Sequence, residues 1–447
     1  MSARQFKDWL DGSPADWKTD RLKDCFSSVV GGDWGDDPDS DAEGRDLVVL
    51  RVADFKNGSV KHDDLTVRRI KDSKISQRLI MGSSLLIEKS GGGENQWVGR
   101  VVFPGALPFE AICSNFIAKL DTAPKHEPAF FNYLLSALYH ANVNRPHVRQ
   151  TTGIQNLALH HYLGVNVALP AATEQKRIAA YLDASCAAID RAVESKQQQL
   201  DTLDALRKSI IQRAVTQGLN PEVEMKDSGV AWVPKVPRHW KVARLKRHAQ
   251  LIRGQFSARP RSDPRFYGGP YPFIQTGSIS ATDKYITEFT QTLNEDGLEV
   301  SRMFAAGTVV MTITGAKIGE VAVTTFDACF PDSIVGFIPD HTLDNDFLFY
   351  LLVAIKPSIL EVIVVTTQPN INYVQLGGNC VPLPLLDEQK AIVRDLESRL
   401  KGLKDLRGCL HSQIETLTAY RKSLIHECVT GLRRINDADV THVQAHV

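Results

Sequence analysis

Leu169-Pro170-Ala171-Ala172-Thr173-Glu174-Gln175-Lys176 returns downstream as Leu383-Pro384-Leu385-Leu386-Asp387-Glu388-Gln389-Lys390, an offset of 214. The offset then holds without a gap for more than forty residues, through Ile178 and Ile392, Leu182 and Leu396, Arg207-Lys208-Ser209 and Arg421-Lys422-Ser423, to Val215-Thr216 and Val429-Thr430. Thr152 and Asn156 keep the same register with Thr366 and Asn370. Near the N-terminus, Trp17-Lys18-x-x-Arg21-Leu22-Lys23 recurs as Trp240-Lys241-x-x-Arg244-Leu245-Lys246 at an offset of 223, with Pro14 and Pro237 equally placed before each Trp. A period of this size means two copies of one structural unit. Between the anchors the copies diverge, and the second is nine residues shorter.

The recurring C-terminal part of each copy reads as one long helix. Leu182, Ile189, Lys196, Leu203 and Ile210 are spaced by seven, as are Leu396, Leu403, Leu410, Leu417 and Leu424. A seven-residue apolar repeat sustained this long is a coiled-coil seam. The alternative is two amphipathic helices packed separately on their own domains, which needs a broader apolar face. Lys196 interrupts the seam; it either sets register or snorkels its ammonium to water, the simpler reading. Thr173 and Asp387 are N-cap candidates, and Gly218 and Gly431 are candidate C-terminal stops. The residues between the anchors contain short β-branched runs at 47–54, 84–89, 98–103, 308–313 and 320–325, with glycine-bearing loops at Gly91-Gly92-Gly93 and Gly315. Apolar stretches at 130–138 and 347–355 read as one core helix per copy, and Trp17, Trp240, Tyr133 and Tyr350 as core anchors.

The fold class expected is therefore mixed α/β: two similar globular domains separated by two long helices that form an antiparallel coiled coil, related by a pseudo-two-fold axis. The segments are 1–170 (first globular domain), 171–217 (central helix), 218–384 (linker, then second globular domain), 385–432 (distal helix) and 433–447 (tail). The 447 residues carry 43% hydrophobic and 23% charged side chains, a globular balance. No apolar run reaches the ~18–20 residues of a membrane span, and the polar N-terminus lacks a signal-peptide core. Seven cysteines are scattered without a Cys-x-x-Cys pair, which fits a reducing, cytoplasmic location better than a disulfide scaffold or a zinc site.

The sequence carries none of the common catalytic motifs in full. Gly315-Ala316-Lys317-Ile318-Gly319 lacks the spacing and hydroxyl of a phosphate loop. Asn220-Pro221-Glu222 is not the Asn/Asp-Pro-Pro-aromatic signature of amino-methyltransferases, and His160-His161 is not part of a zinc-protease motif. No catalytic residue, metal ligand or cofactor site is assigned.

Charge is balanced overall, 52 basic against 52 acidic residues, but not evenly spread. From 235 to 265 there are ten Lys or Arg and one acid, Asp263, followed by Phe266, Tyr267 and Tyr271. The first copy has a basic cluster of Arg68, Arg69, Lys71, Lys74 and Arg78 and another at Arg145, His147 and Arg149. Such patches neutralise phosphates and release counterions. The acidic run at 33–46 is expected to face away from a polyanion. Two differing readers on a stiff spacer would suit a split, asymmetric DNA site.

These residues resemble a known family. Asp227-Ser-Gly-Val-Ala-Trp-Val-Pro-Lys-Val-Pro-Arg-His-Trp240-Lys-Val-Ala-Arg-Leu-Lys246 is similar to the opening of a target-recognition domain in specificity subunits of type I restriction-modification systems. So are Gly31-Gly-Asp-Trp-Gly-Asp-Asp-Pro38, Arg51-Val-Ala-Asp-Phe55, Glu88-Lys-Ser-Gly-Gly92, Thr312-Ile-Thr-Gly315 and both Leu-Pro…Glu-Gln helix starts. Asp33 departs from the small hydroxyl residue expected there. The resemblance implies a non-catalytic subunit that reads double-stranded DNA and assembles with two modification (methyltransferase) subunits and with restriction (translocase and nuclease) subunits. S-adenosylmethionine, ATP and Mg would belong to those partners, leaving no cofactor in this chain.

On this reading the DNA-contact candidates of the first copy are Arg68, Arg69, Lys74, Gln77, Asn95, Gln96, Arg145 and Arg149. Those of the second are Arg253, Gln255, Arg259, Arg261, Arg265, Lys317, Gln368 and Asn370. Arg reads guanine and Asn or Gln reads adenine in the major groove, while many such contacts go to phosphate. The rival readings are a self-contained nuclease-methylase, for which motifs are missing, and a coiled-coil scaffold or DNA-binding protein without restriction-modification partners. Inserting four residues near Gln198 adds about one helical turn, ~6 Å. Methylome mapping of the assembled system should then show a changed gap between half-sites, or assembly should fail; an unchanged gap with intact assembly removes the spacer role.

Overall fold

The computed structural model describes residues 12–38, 43–56, 58–93, 96–151, 153–315, 317–361 and 370–445. The chain forms two compact units, 1–197 with 411–447 and 198–410. Each unit holds one globular head, the start of one long helix and the end of the other. The long helices are Ala172–Gln217 and Leu386–Thr430.

In the first unit the head is closed by a clasp: Lys18–Arg21 pairs antiparallel with Asn166–Leu169, so chain entry and exit meet where the long helix begins. The second unit repeats this with Lys241–Arg244 against Cys380–Leu383. Between the clasp strands, the first head has a four-stranded antiparallel sheet ordered Phe26–Gly31, Ile117–Thr122, Ser84–Glu88, Val101–Val102. A second sheet pairs Arg45–Leu50 in parallel with Ala111–Cys113 and antiparallel with Val67–Ile70. The second head has a five-stranded sheet ordered Ala249–Arg253, Ile334–Pro339, Val309–Thr312, Val321–Thr324, Tyr285–Ile286. The core helices are Pro128–His140 and Asn345–Glu361. The expected strands at 47–54 and 98–103 are shorter than read: 52–54 is a 3-10 turn and only Val101–Val102 pairs in the latter. Asp54 accepts from the backbone N–H of Arg51 at 2.7 Å, which curls the chain out of the strand.

Head and helices share one core in each unit. In the first, Trp17, Phe130, Phe131 and Leu134 pack with Ile178, Leu182, Leu424, Ile425 and Val429. In the second, Trp240, Phe347 and Leu351 pack with Ile211, Val215, Ile392 and Leu396. Tyr133 and Tyr350 are buried with them, as core anchors should be. Burial therefore groups each helix end with its head rather than with the rest of its own helix.

The two helices run antiparallel within each unit. In the first, Asp190 pairs with Arg421 at 3.0 Å and Lys196 donates to Gln413 at 2.5 Å, so position rises on one helix as it falls on the other. In the second, Asp204 pairs with Arg407 at 3.8 Å, while Gly218 lies beside Glu388. The Lys196 ammonium reaches the exposed rim of the helix pair and there donates to Gln413. The seam is also broader than a seven-residue stripe at the helix ends. Ile211 is fully buried while its neighbour Ile210, on the stripe, is half-buried, because the head adds a second packing partner. Away from the heads, Leu203 and Leu403 are half-buried, since one partner covers one side of a helix.

Helix starts depart from the expected caps. The helices begin two residues earlier than those caps would place them, so Thr173 and Asp387 lie inside the first turn. Backbone N–H groups of Gln175 and Gln389 already donate to the carbonyls of Ala171 and Leu385. Fixation comes from the two Gln side chains. Gln175, 1% exposed, donates to the Pro170 carbonyl and accepts from the Glu127 N–H, each at 3.0 Å. Gln389, fully buried, donates to the carbonyls of Pro384 at 3.0 Å and Thr342 at 2.9 Å and accepts from the Asp344 N–H at 2.7 Å. At the other helix ends Gly218 and Gly431 take φ of +74° and +78°, the left-handed stop that glycine permits.

Two segments are more ordered than the sequence suggested. The expected linker contains a hairpin of Met225–Asp227 with Lys235–Pro237, and Val233 and Val236 are buried in the second core. The tail is tied down as well. Arg434 grips Asp16 at 2.8 and 2.9 Å and Glu174 at 2.9 Å, Ile435 is buried, and Asp437–Gln444 is a helix capped by Asn436.

Gln389→Leu removes the partner of three backbone groups, the Pro384 carbonyl buried and the Thr342 carbonyl and Asp344 N–H partly so, a buried group costing ~1–3 kcal/mol when left without a partner. Urea unfolding should show a loss of at least ~2 kcal/mol; a loss below about 0.5 kcal/mol would mean that the amide does not hold the helix start.

Candidate nucleic-acid interface

The first basic cluster is not a free cationic patch. Antiparallel pairing of Arg45–Leu50 with Val67–Ile70 sets Asp46 opposite Arg69, which holds both carboxylate oxygens at 2.8 and 3.1 Å. Arg68 pairs with Asp37 and lies over the Trp34 ring at 5.0 Å. Lys74 reaches Asp33 at 2.5 Å. Burial raises the Asp33 carboxyl, but the Lys74 ammonium and the Gly35 N–H outweigh it and hold it below the usual range. The Asp46 carboxyl is lowered by its hydrogen bonds to Arg69. Part of the acidic run at 33–46 thus lies against the basic cluster. Asp37, Asp46 and Asp33 pair with Arg68, Arg69 and Lys74 and neutralise these three.

Arg145 and Arg149 have a different setting. Both are exposed, and among the described residues neither has a carboxylate partner at ion-pair distance. Arg145 stacks on Trp97 at 4.9 Å, and Arg149 projects from a strand, Val148–Thr151, paired with Ile154–Leu157. Gln77 is exposed on a short helix, Asp72–Arg78. Gln96 lines a pocket of the first head. Asn95 lies outside the described residues, as does Gln368.

In the second head, Arg253 donates to the Asp332 carbonyl at 2.6 Å and Arg261 to its carboxylate at 2.6 Å. Gln255 accepts from Arg302 at 3.3 Å. Arg259 donates to the carbonyls of Phe256 and Ala258, and Arg265 stacks on Phe266 at 4.4 Å. These guanidinium groups surround one loop region, 253–267. Lys317 and Asn370 are exposed, on a different part of the head; Asn370 bridges to Thr314.

Each head contains a pocket at the same topological place. In the first, the Gly32 N–H donates to Ile117 and the Asp33 N–H to Cys113; in the second, Gly254 donates to Ile334 and Gln255 to Phe330. Both glycines are enforced by close backbone: a Cβ on Gly32 would lie 2.1 Å from the Cys113 carbonyl oxygen, and one on Gly254 2.3 Å from that of Pro331. The residue that follows two places on, Trp34 or Phe256, then lines the pocket. The opposite wall begins where a strand ends beside a parallel neighbour: Leu50 next to Cys113, and Phe273 next to Cys329. The first cavity, about 570 Å³, is lined by Trp34, Arg51, Glu88, Gln96, Arg100 and Phe116 among others. Glu88 is buried and holds Arg100 at 3.0 Å, while Trp34 and Phe116 are partly open to solvent. The second, about 390 Å³, is lined by Phe256, Arg261, Tyr267, Phe273, Gln275 and Gln291. Of these, only Gln96 and Arg261 were singled out from sequence. Trp34 and Arg51 lie inside quoted motifs, but nothing in a linear reading shows that they converge.

Other chemistry is sparse. Burial pushes the thiols of Cys25, Cys113 and Cys428 up to about 12, so they are poor nucleophiles. Among the described residues, no three His, Cys, Asp or Glu side chains group as metal ligands, and no helix is long and apolar enough to cross a membrane.

Residues 237–415 match the model of the type I restriction modification DNA specificity domain. A putative type I restriction enzyme specificity subunit (MjaX) of Methanocaldococcus jannaschii is 24% identical over 436 residues, covering 94% of this chain and 95% of that protein. The MjaVIII specificity subunit of the same organism is 24% identical over 302 residues, 64% of this chain and 66% of its own length. Among solved structures, a chain from a study of complex assembly and conformational transition of the type I R-M system superposes with a TM-score of 0.70 at 17% identity, covering 93% of this chain and 98% of that one. The duplicated heads and shared helix starts agree with these likenesses: residues 237–415 match the DNA specificity domain, and nearly the whole chain is similar to a type I restriction enzyme specificity subunit.

Proposed function

We propose that this chain is the sequence-reading component of a type I restriction-modification complex. Each head takes one half of a split, asymmetric DNA site, and the helix pair sets the gap. Bond-making is delegated to companions: two modification subunits using S-adenosylmethionine, and restriction subunits driven by ATP and Mg. The observation that carries this reading is the repeated architecture with unlike surfaces. Both heads use the same clasp, buried Gln and glycine stop, while their pockets and exposed cations differ.

Arg145 and Arg149 in the first head and Arg259 and Arg265 in the second are the exposed guanidinium groups best placed for phosphate or base edges. Docking of companions on the helices is supported by Leu206 and Leu406, 44% and 48% exposed where two helices alone cannot cover them.

The purified chain, alone and with its modification subunits, should select one two-part sequence from random duplex DNA. Arg149→Ala and Arg259→Ala each either lose preference at one base pair, costing roughly 1–3 kcal/mol there, or weaken all sequences alike and lower the salt slope by about one. Unchanged affinity and salt slope in both variants would remove these two residues from the interface. A chain that binds without any sequence preference sinks the reading as a whole.

A further inference from the structure

We propose that positions 51 and 275 are the paired base-reading positions of the two heads, Arg51 directed at guanine and Gln275 at adenine. This rests on the DNA-reading function above and names the residues that would perform it. The backbone makes the two positions equivalent. Leu50 is the partner of Cys113 in the parallel pair, and the Ser114 N–H donates to the Leu50 carbonyl. In the second head Phe273 bridges in parallel to Cys329, and the Ile274 N–H donates to the Cys329 carbonyl. Cys113 and Phe330 are counterparts, each accepting from the residue after the enforced glycine; Phe330 is one residue past Cys329, so Ile274, one past Phe273, corresponds to Leu50. Arg51 and Gln275 follow Leu50 and Ile274, and each lines the pocket of its head.

Both side chains are held in place by a neighbour that leaves a reading edge open. Arg51 donates from Nε to Asp54 Oδ2 at 3.3 Å and from Nη2 to Oδ1 at 3.1 Å. Asp54 itself is fully buried and further held by the Arg51 backbone N–H and by Lys61 at 3.5 Å. One flank of the guanidinium is thus occupied, and its Nη1–Nη2 end, where Nη1 makes no hydrogen bond among the described residues, remains for a bidentate acceptor. Guanine O6 and N7 offer that pair of acceptors in the major groove. Gln275 is exposed, and its Nε2 donates to Gln291 Oε1 at 2.9 Å. This leaves the Gln275 carbonyl oxygen and its second amide hydrogen, the acceptor and donor that adenine N6 and N7 require. Fixing a long side chain before binding lowers the entropy lost on contact. The partly exposed rings of Trp34 and Phe116 beside Arg51 add apolar surface suited to a thymine methyl group.

The test is selection from random duplex DNA by the wild-type chain and by Arg51→Ala, Arg51→Gln and Gln275→Ala, each assembled with its modification subunits. Arg51→Ala should lose guanine preference at one base pair of one half-site by about ten-fold or more, leaving the other half-site and the salt slope unchanged. Gln275→Ala should do the same for adenine in the other half-site. Arg51→Gln keeps an amide donor for Asp54 and should shift the preferred base from guanine toward adenine, which a merely structural role would not do. Urea unfolding midpoints report whether each variant is folded. A wild-type chain that selects a two-part site while the folded variants select the same one, or weaken every sequence alike, overturns this inference and leaves the reading function standing. A wild-type chain with no preference overturns both.

Discussion

A buried glutamine amide at the start of each long helix is the contact on which the rest of the architecture depends. Gln175 and Gln389 each bridge the carbonyl of the Pro five residues earlier and the N–H of the residue just before the core helix. Three elements are thereby locked at one point: the closing strand of the head, its central helix and the spacer helix. An unpaired amide there would cost more than the bond contributes, so the geometry is tightly specified. The antiparallel partner completes the joint, its glycine stop lying against the indole of Trp17 or Trp240.

The two joints are not identical, and the difference shows how duplication was adjusted. In the second unit, the Trp240 indole donates to Glu388 at 3.0 Å, and His239 meets the same carboxylate at 2.9 Å. In the first, Glu174 is taken by Arg434 from beyond the second helix, and the buried Trp17 indole nitrogen has no hydrogen-bond partner among the described residues. Arg434 also holds Asp16, so the C-terminal segment closes the first joint with charge where the second uses an indole. One carboxylate position thus serves two different locks.

The heads divide their residues between frame and surface. Gly32 and Gly254 lie so close to the opposing backbone that no side chain fits, and the same hydrogen bonds flank both. The walls of the two pockets share nothing comparable: a buried Glu88–Arg100 pair in one, a Gln275–Gln291 pair in the other. Backbone hydrogen bonds do not depend on side-chain identity, so loop residues can vary while the frame stays constant.

The repeat, the two long helices, the glycine stops and the buried core aromatics were legible in the sequence because they rest on local periodicity and spacing. Helix and heptad patterns need only residues a few positions apart. What tertiary structure decided was long-range. Strand register placed Asp46 on Arg69 and Asp37 on Arg68, turning an apparent phosphate-binding cluster into a neutralised one. The same long-range pairing brought Arg51 beside Trp34 and Phe116, and carried the tail's Arg434 onto Asp16. Charge acts through space, over distances that chain order does not encode. A linear count of lysines and arginines therefore overstates the cations available to a polyanion, and the carboxylates that cancel them become known only when the sheet has formed.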